Sequence, residues 1–295
     1  MNISIIGASG FVGSNLLSYL LKNTNYNICA IAPELKNIKF DEKYKHRVNL
    51  MQADASNYNQ MKTALVGTDV AYFFVHMLSC REKFYEKETQ IAEATGKALL
   101  DINVKRVIYM SGLGNDKEKL SEHLASRHNT GKILRKYINK VIEFRASMII
   151  GKGSASFEII RDIVNKAPII LLPKKAITKT QPITIQDTLL YLVSAIDLEI
   201  EEKTLIEIGG PEIMSYQEFL EKYRKFSKKK TPIIRTFFLP EKIAGWFLSF
   251  FTTKNNAQIG QNMIASFQNE MIVTNNKAKE LFPKIKPQPI EKAFL

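Results

Sequence analysis

The chain has 295 residues, 45% of them apolar, and carries 42 Lys and Arg against 29 Asp and Glu, a net charge of +13. This apolar content excludes a largely disordered chain, and the length suits one large domain or a core with a smaller lobe. Two cysteines, Cys29 and Cys80, exclude a disulfide framework or a zinc cluster, and no apolar run reaches the ~18 residues that span a bilayer.

Both cysteines sit in or beside apolar runs, as buried thiols do. The basic charge is spread along the chain. Its densest run, Lys228-Lys229-Lys230, lies between a helical pattern and Thr231-Pro232. No basic and aromatic residues alternate along a strand, so a lysine-rich surface without a specific nucleic-acid partner is expected. The first residues lack the charged start and long apolar stretch of a signal peptide, and the expected location is cytoplasmic.

In chain order, the first element is a strand over 2–6. Gly7-Ala8-Ser9-Gly10-Phe11-Val12-Gly13 follows at once, and then a helical pattern with Leu16, Leu17, Leu20 and Leu21. Strand, glycine turn and helix in this order are what a dinucleotide pyrophosphate needs. Gly7, Gly10 and Gly13 would form the turn, with Ser9, Phe11 and Val12 offering main-chain amides and cover. A turn that only packs helix on strand would share the spacing, but its place directly after an N-terminal strand favours the ligand.

Further strands are expected over 27–32, 47–52, 70–75, 106–110 and 141–145, with helices over about 82–100 and 126–137 between them. Their apolar runs are continuous rather than alternating, which implies burial on both faces and a parallel sheet. The predicted class is α/β, a doubly wound parallel sheet with ligands at the carboxyl ends of its strands. Residues 1–150 would form this core. Residues 151–295 would form a smaller substrate lobe and tail, with some segments returning to the core sheet. There, helices are expected over 157–165, 188–196 (begun by Asp187) and 216–226, an extended segment over 169–172 and a strand over 205–208. The aromatics of 246–251 suit core packing first; a lid, a membrane-surface patch or an interface in a homo-oligomer are the other uses.

Islands at 7–13, 72–76, 109–113, 120–127, 149–158, 181–183 and 208–211 resemble the atypical short-chain dehydrogenase/reductases with an NAD(P)-binding Rossmann fold. The subgroup is NmrA-like and nucleoside-diphosphate-sugar epimerase-like. The resemblance spans most of the chain. It implies NAD or NADP as cofactor and a small-molecule substrate.

On the cofactor side, the resemblance places Asp54 and Ala55 near the adenine, although Asp54 equally suits a loop cap. Relatives often carry an arginine near Ala32 for a 2′-phosphate, and none stands here. Glu34 would bind ribose hydroxyls and favour NAD, whereas Lys36 or Lys39 would meet a phosphate; the residues leave both open.

On the catalytic side, the family's serine corresponds to Ser111, a position that also suits a turn serine. Its Tyr-x-x-x-Lys pair is replaced: alignment on Gly131 and Lys132 puts Leu124 at the tyrosine and His128 at the lysine. Leucine transfers no proton, so His128, which could contact ribose hydroxyls, and His76 become candidates beside Ser111; His128 would otherwise be a surface histidine on its helix and His76 a hydrogen-bonded structural one. Arg127, one helical turn after His123, would bind a substrate carboxylate or phosphate, or form a salt bridge. Arg145, Ser154 and Phe157 would line the substrate side. No histidines show metal-ligand spacing, so no metal is expected. The main reading is an oxidoreductase or isomerase acting on a small metabolite. The alternative is a non-catalytic NAD(P)-binding redox sensor or scaffold.

Overall fold

The computed structural model describes residues 1–77, 83–200, 203–236 and 241–294. In β1 (Asn2–Ile6) every residue after the first is buried, which places this strand inside a sheet covered on both faces. It is joined in chain order by β2 (Asn27–Ala32), β3 (Val48–Gln52), β4 (Val70–Phe73), β5 (Arg106–Gly112) and β6 (Val141–Ala146). Three short pairs lie outside this sheet: β7 (Ile149–Ile150) with β10 (Ile183–Thr184), β8 (Ile170–Pro173) with β13 (Ile233–Thr236), and β9 (Lys179–Thr180) with β12 (Met214–Ser215). A late strand, β11 (Thr204–Ile208), returns to the edge of the main sheet beside β6. The resulting order is β3-β2-β1-β4-β5-β6-β11, and all neighbours are parallel. The predicted α/β doubly wound class is therefore observed, with the order reversing between β1 and β4. A ligand crevice belongs at that reversal.

One face of the sheet is covered by α1 (Phe11–Asn23), whose Leu16, Leu17, Leu20 and Leu21 recur at helical spacing and are all buried. The opposite face carries α2 (Tyr58–Ala64), α3 (Phe84–Asp101) and α4 (Glu122–Tyr137). A separate apolar core is built from α5 (Ala155–Lys166), α7 (Tyr216–Phe226), α8 (Glu241–Ser249) and α9 (Lys254–Ala265), which sit beyond the carboxyl edge of the sheet. The helices α6 (Ile185–Ser194) and α10 (Lys277–Leu281) pack back onto the α1 face.

Several boundaries differ from the sequence reading, each for a local reason. β4 stops at Phe73, so His76 lies in the loop beyond rather than at the strand's end. α4 starts at Glu122, four residues early, because the Ser121 hydroxyl accepts from the Leu124 amide as an N-cap. α6 starts at Ile185 because Thr184 caps it, its hydroxyl taking the Asp187 amide at 3.0 Å; Asp187 sits inside the first turn. The 246–251 aromatics divide: Leu248 is buried, whereas Trp246 and Phe250 are 63% and 62% exposed. Cys29 is half-buried, and burial pushes its thiol up to about 11, so it stays protonated. Cys80 lies outside the described residues. Among the described residues no helix is long and apolar enough to cross a membrane.

Candidate active site

The glycine turn is built as the pyrophosphate reading requires. Gly7 has φ +90°, a left-handed conformation that side chains disfavour, and a Cβ there would lie 3.0 Å from the Phe74 carbonyl carbon. A Cβ on Gly13 would run into the Gly7 carbonyl oxygen, so this glycine lets α1 approach β1. Gly10 is different: its nearest neighbour would be the Gly7 oxygen at 3.3 Å, and its open side faces a cavity. Gly10 also begins α1, where no side chain caps the helix and no acid occupies the first turn. Among the described residues the amides of Phe11, Val12 and Gly13 have no hydrogen-bond acceptor. Three free amides at a helix N-terminus, in a turn open to a cavity, fit a phosphate group.

That cavity, of about 390 Å³, runs from the turn along the carboxyl ends of β4, β5 and β6 to α5 and α9. Of the residues singled out from the sequence, Gly10, Phe11, Val12, Gly13, His76, Ser111, Arg127 and Ser154 line it. Gly7 and Ser9 shape the turn without lining the cavity.

The polar side chains of the cavity are held in defined states. Ser111, the last residue but one of β5, has its hydroxyl buried and without a hydrogen bond of sound geometry. Ser147, just past β6, presents a second buried hydroxyl without a partner. The Arg127 guanidinium donates to the Met110 carbonyl and lies 5.8 Å from the centre of the Tyr109 ring. Among the described residues no carboxylate pairs with it. Ser154 is already occupied, its hydroxyl donating to the Ile149 carbonyl at 2.7 Å.

His76 is held by Glu88 on α3. The Nδ1–H donates to the Glu88 Oε1 at 2.6 Å, the Met77 amide donates to the same oxygen at 2.9 Å, and the Ser126 hydroxyl donates to Oε2. Burial pushes the Glu88 carboxyl up, but these donors outweigh it and hold it down at about 2. His76 stacks on His123, ring centres 4.9 Å apart. Burial and the nearby Arg127 lower the pKa of both rings, His123 the more, since His76 also faces it. Both imidazoles are therefore neutral at neutral pH, and Arg127 is the cation of this end of the cavity.

Six expected residues lie elsewhere. His128, read as a catalytic candidate, is buried with both ring nitrogens occupied, Nδ1 by Asp116 at 2.6 Å and Nε2 by the Gly112 carbonyl at 2.8 Å. Arg145, read as a substrate contact, points under the sheet edge, where Nε meets Glu143 and a terminal nitrogen meets Asp116, both at 2.9 Å. A buried cation needs such partners, and here they leave it none for a ligand. Phe157 is stacked on Phe294 at 5.6 Å inside the second core. The Asp54 carboxylate accepts from the Ser56 amide and hydroxyl, at 2.9 and 2.8 Å, closing its own turn. It stands after β3, with Ala55, whose carbonyl takes the Thr95 hydroxyl. Glu34, after β2, is exposed, pairs with Lys36 at 3.1 Å and accepts from Asn37 at 3.2 Å.

The sequence reading missed Glu88, Ser147, Asn255 and Tyr216, the last three of which line the cavity. A glutamate at the apolar positions of α3 was the available signal. Leu124 lines the cavity with a methyl surface. Among the described residues no three of His, Cys, Asp and Glu gather as metal ligands.

A parallel doubly wound sheet with a glycine turn opening α1 at the cavity defines a Rossmann-type α/β protein. The chain belongs to the NmrA-like family, whose model matches residues 1–292. Among curated proteins none matches this sequence. Solved structures share the fold at low identity. A nucleoside-diphosphate-sugar epimerase from Staphylococcus aureus is 16% identical, with TM-score 0.77 over 100% of this chain and 99% of that one. A Citrobacter sp. triphenylmethane reductase complexed with NADP(H) is 14% identical, with TM-score 0.76 over 100% and 99%. The Escherichia coli NADPH-dependent quinone oxidoreductase, complexed with NADPH, is 16% identical, with TM-score 0.75 over 99% and 98%.

Proposed function

We propose that this chain binds NAD or NADP at the glycine turn and acts as an oxidoreductase or isomerase on a small metabolite held in the adjoining cavity. The observation that carries this reading is the cavity itself. Its floor offers two buried unpartnered hydroxyls, Ser111 and Ser147, and a guanidinium without a carboxylate, directly beside three free helix amides. Buried polar groups left unpaired in the protein alone are groups that a ligand satisfies.

In this reading the amides of Phe11, Val12 and Gly13 hold the pyrophosphate, and Gly10 leaves room for it. Once bound, the dinucleotide supplies a site for hydride transfer. Ser111 and Ser147 donate to a substrate oxygen as negative charge develops on it. Arg127 holds a carboxylate or phosphate of the substrate. His76, fixed by Glu88 as the Nδ1–H tautomer, leaves Nε2 as a proton acceptor. The apolar walls, among them Phe74, Met110 and Leu124, exclude water. Asp54 and Glu34, at the ends of β3 and β2 on the same edge, border the adenosine end.

A non-catalytic sensor remains the second reading, because Leu124 supplies no proton where the family tyrosine does. Calorimetric titration of cofactor-stripped protein with NADPH, NADP, NADH and NAD tests the cofactor and chooses between the pairs. Binding of one pair, followed by its turnover with a panel of carbonyl and quinone compounds, supports the enzyme. Tight binding of one oxidation state without turnover supports the sensor. Binding of none of the four removes both.

A further inference from the structure

Beyond the main cavity lies a second space that the reading above does not use. It has a volume of about 80 Å³ and lies between α5, β8, α7 and the α8–α9 pair. Its walls are apolar: Ile159 and Ile163 from α5, Leu172 from β8, Leu220 from α7, Leu248 from α8 and Ile264 from α9. One residue, Tyr216 at the start of α7, lines both this space and the main cavity.

Tyr216 stands at the neck between them. Its ring lies 4.0 Å from that of Phe267, which walls the apolar space. Its hydroxyl is buried and makes no hydrogen bond of sound geometry; the nearby Thr180 hydroxyl is likewise unpaired. Burial raises its pKa well above the usual tyrosine value, so it keeps its proton and has it to donate in a hydrogen bond.

Its apolar walls leave unmade the contacts that an apolar occupant would supply. Water is a poor occupant, since it needs two to four polar partners and the apolar walls supply none beyond the neck. By comparison with a cavity of ~150 Å³ that accepts benzene, this one has room for about three carbons. Gly260 brings the roof close: a Cβ there would meet Leu248 and, at 3.7 Å, Ile159.

We propose that the apolar space is a subsite for the hydrocarbon tail of the substrate. The polar head lies at Ser111 and Arg127, and the chain passes Tyr216, whose hydroxyl donates to an oxygen of the ligand at the junction. The substrate class is therefore a short-chain aliphatic compound with an anionic or carbonyl head, rather than a wholly polar metabolite. This placement of the head rests on the function proposed above; the apolar subsite rests on its own walls.

The test is calorimetry of the full chain with butanoate, hexanoate, octanoate and decanoate, at one pH and below their micelle concentrations. NADPH is titrated into the same preparation. Affinity is expected to rise about fourfold per methylene while the subsite fills, and to level off after about three. Leu220→Trp, which fills the space from α7, is expected to bring long and short chains to the same affinity. If that variant fails to fold, Ile163→Phe fills it from α5. Equal affinities across the series in the native protein overturn the proposal. So does the absence of binding, and so does a chain-length dependence that survives the filled variants. NADPH binding with a flat series removes the subsite alone. A rising series without NADPH binding removes the cofactor reading and leaves the subsite standing.

Discussion

Gly10 and Gly13 stand three residues apart, yet they serve different ends. At Gly13 a side chain collides with the Gly7 backbone, so Gly13→Ala should destabilise the protein by roughly 1–3 kcal/mol, read by denaturant unfolding. At Gly10 the backbone nearly tolerates a Cβ and the cavity receives it. Gly10→Val should leave the fold intact and remove NADPH binding; unchanged affinity in a folded variant would disprove the phosphate site. Glu88 gives a second prediction at this scale. Its carboxyl ordinarily titrates near 4.5 and is held at about 2 in the folded protein. A depressed acid stabilises the fold above its ordinary value and loses that contribution as the pH falls toward its folded value. Glu88 should thus contribute on the order of 3 kcal/mol at pH 7, lost between about pH 5 and 2. The lowered pKa values of His76 and His123 act in the same direction, costing stability once the pH drops below 6.5. Unfolding of Glu88→Gln against the native protein checks this. The stability gap should be wide at pH 7 and nearly closed at pH 2; a constant gap would show that the carboxylate is not what matters.

Among the elements, α7 offers the cleanest local test, because both halves of its cap are present. The Ser215 hydroxyl accepts from the Glu218 amide at 3.1 Å, and the Glu218 carboxylate accepts from the Ser215 amide at 2.5 Å. Ser215→Ala should cost about 1 kcal/mol, seen as a lower Tm, and it should loosen the start of the helix that carries Tyr216. Elements of this kind were legible in the chain wherever burial imposes a period. The leucines of α1, the apolar run of β4 and the glycines of the turn each report their own surroundings. The cavity was legible only in part. Gly10, Ser111 and Arg127 stand next to recognisable strand ends or motifs. Glu88 and Asn255 reach the site from helices whose own pattern says nothing of a ligand. Ser147 lies one residue past a strand end that could be placed only to within a residue. His128 and Arg145 misled because a side chain near a strand's carboxyl end has two directions to point, and the carboxylates of buried Glu143 and half-exposed Asp116 decided it.

In the whole molecule, residues 269–288 tie together three segments far apart in the chain. Asn269, nearly buried, accepts from the Ser121 amide at 2.9 Å and donates to the Lys119 carbonyl at 3.0 Å. The Thr274 amide and hydroxyl donate to Glu207 on β11, at 2.7 and 2.8 Å, and the Gln288 amide donates to Asp187 on α6 at 2.9 Å. Asn269→Ala removes both bonds to the segment before α4 and should cost about 2 kcal/mol. Hydrogen exchange should quicken at residues 119–121, and unchanged protection there would show that the tail does not secure the segment.

Under the site runs a polar chain, buried at Glu143, Arg145 and His128 and reaching solvent at Asp116: Arg135 and Arg145 on Glu143, Arg145 on Asp116, and Asp116 on His128. Gly131 abuts the Glu143 carboxylate, where any Cβ would strike an oxygen. Removing Glu143 or Arg145 strands a desolvated partner at a cost of roughly 3–5 kcal/mol, whereas half-exposed Asp116 regains water when its partner is lost. For Glu143 and Arg145, a tolerated change of one therefore requires a matching change of the other.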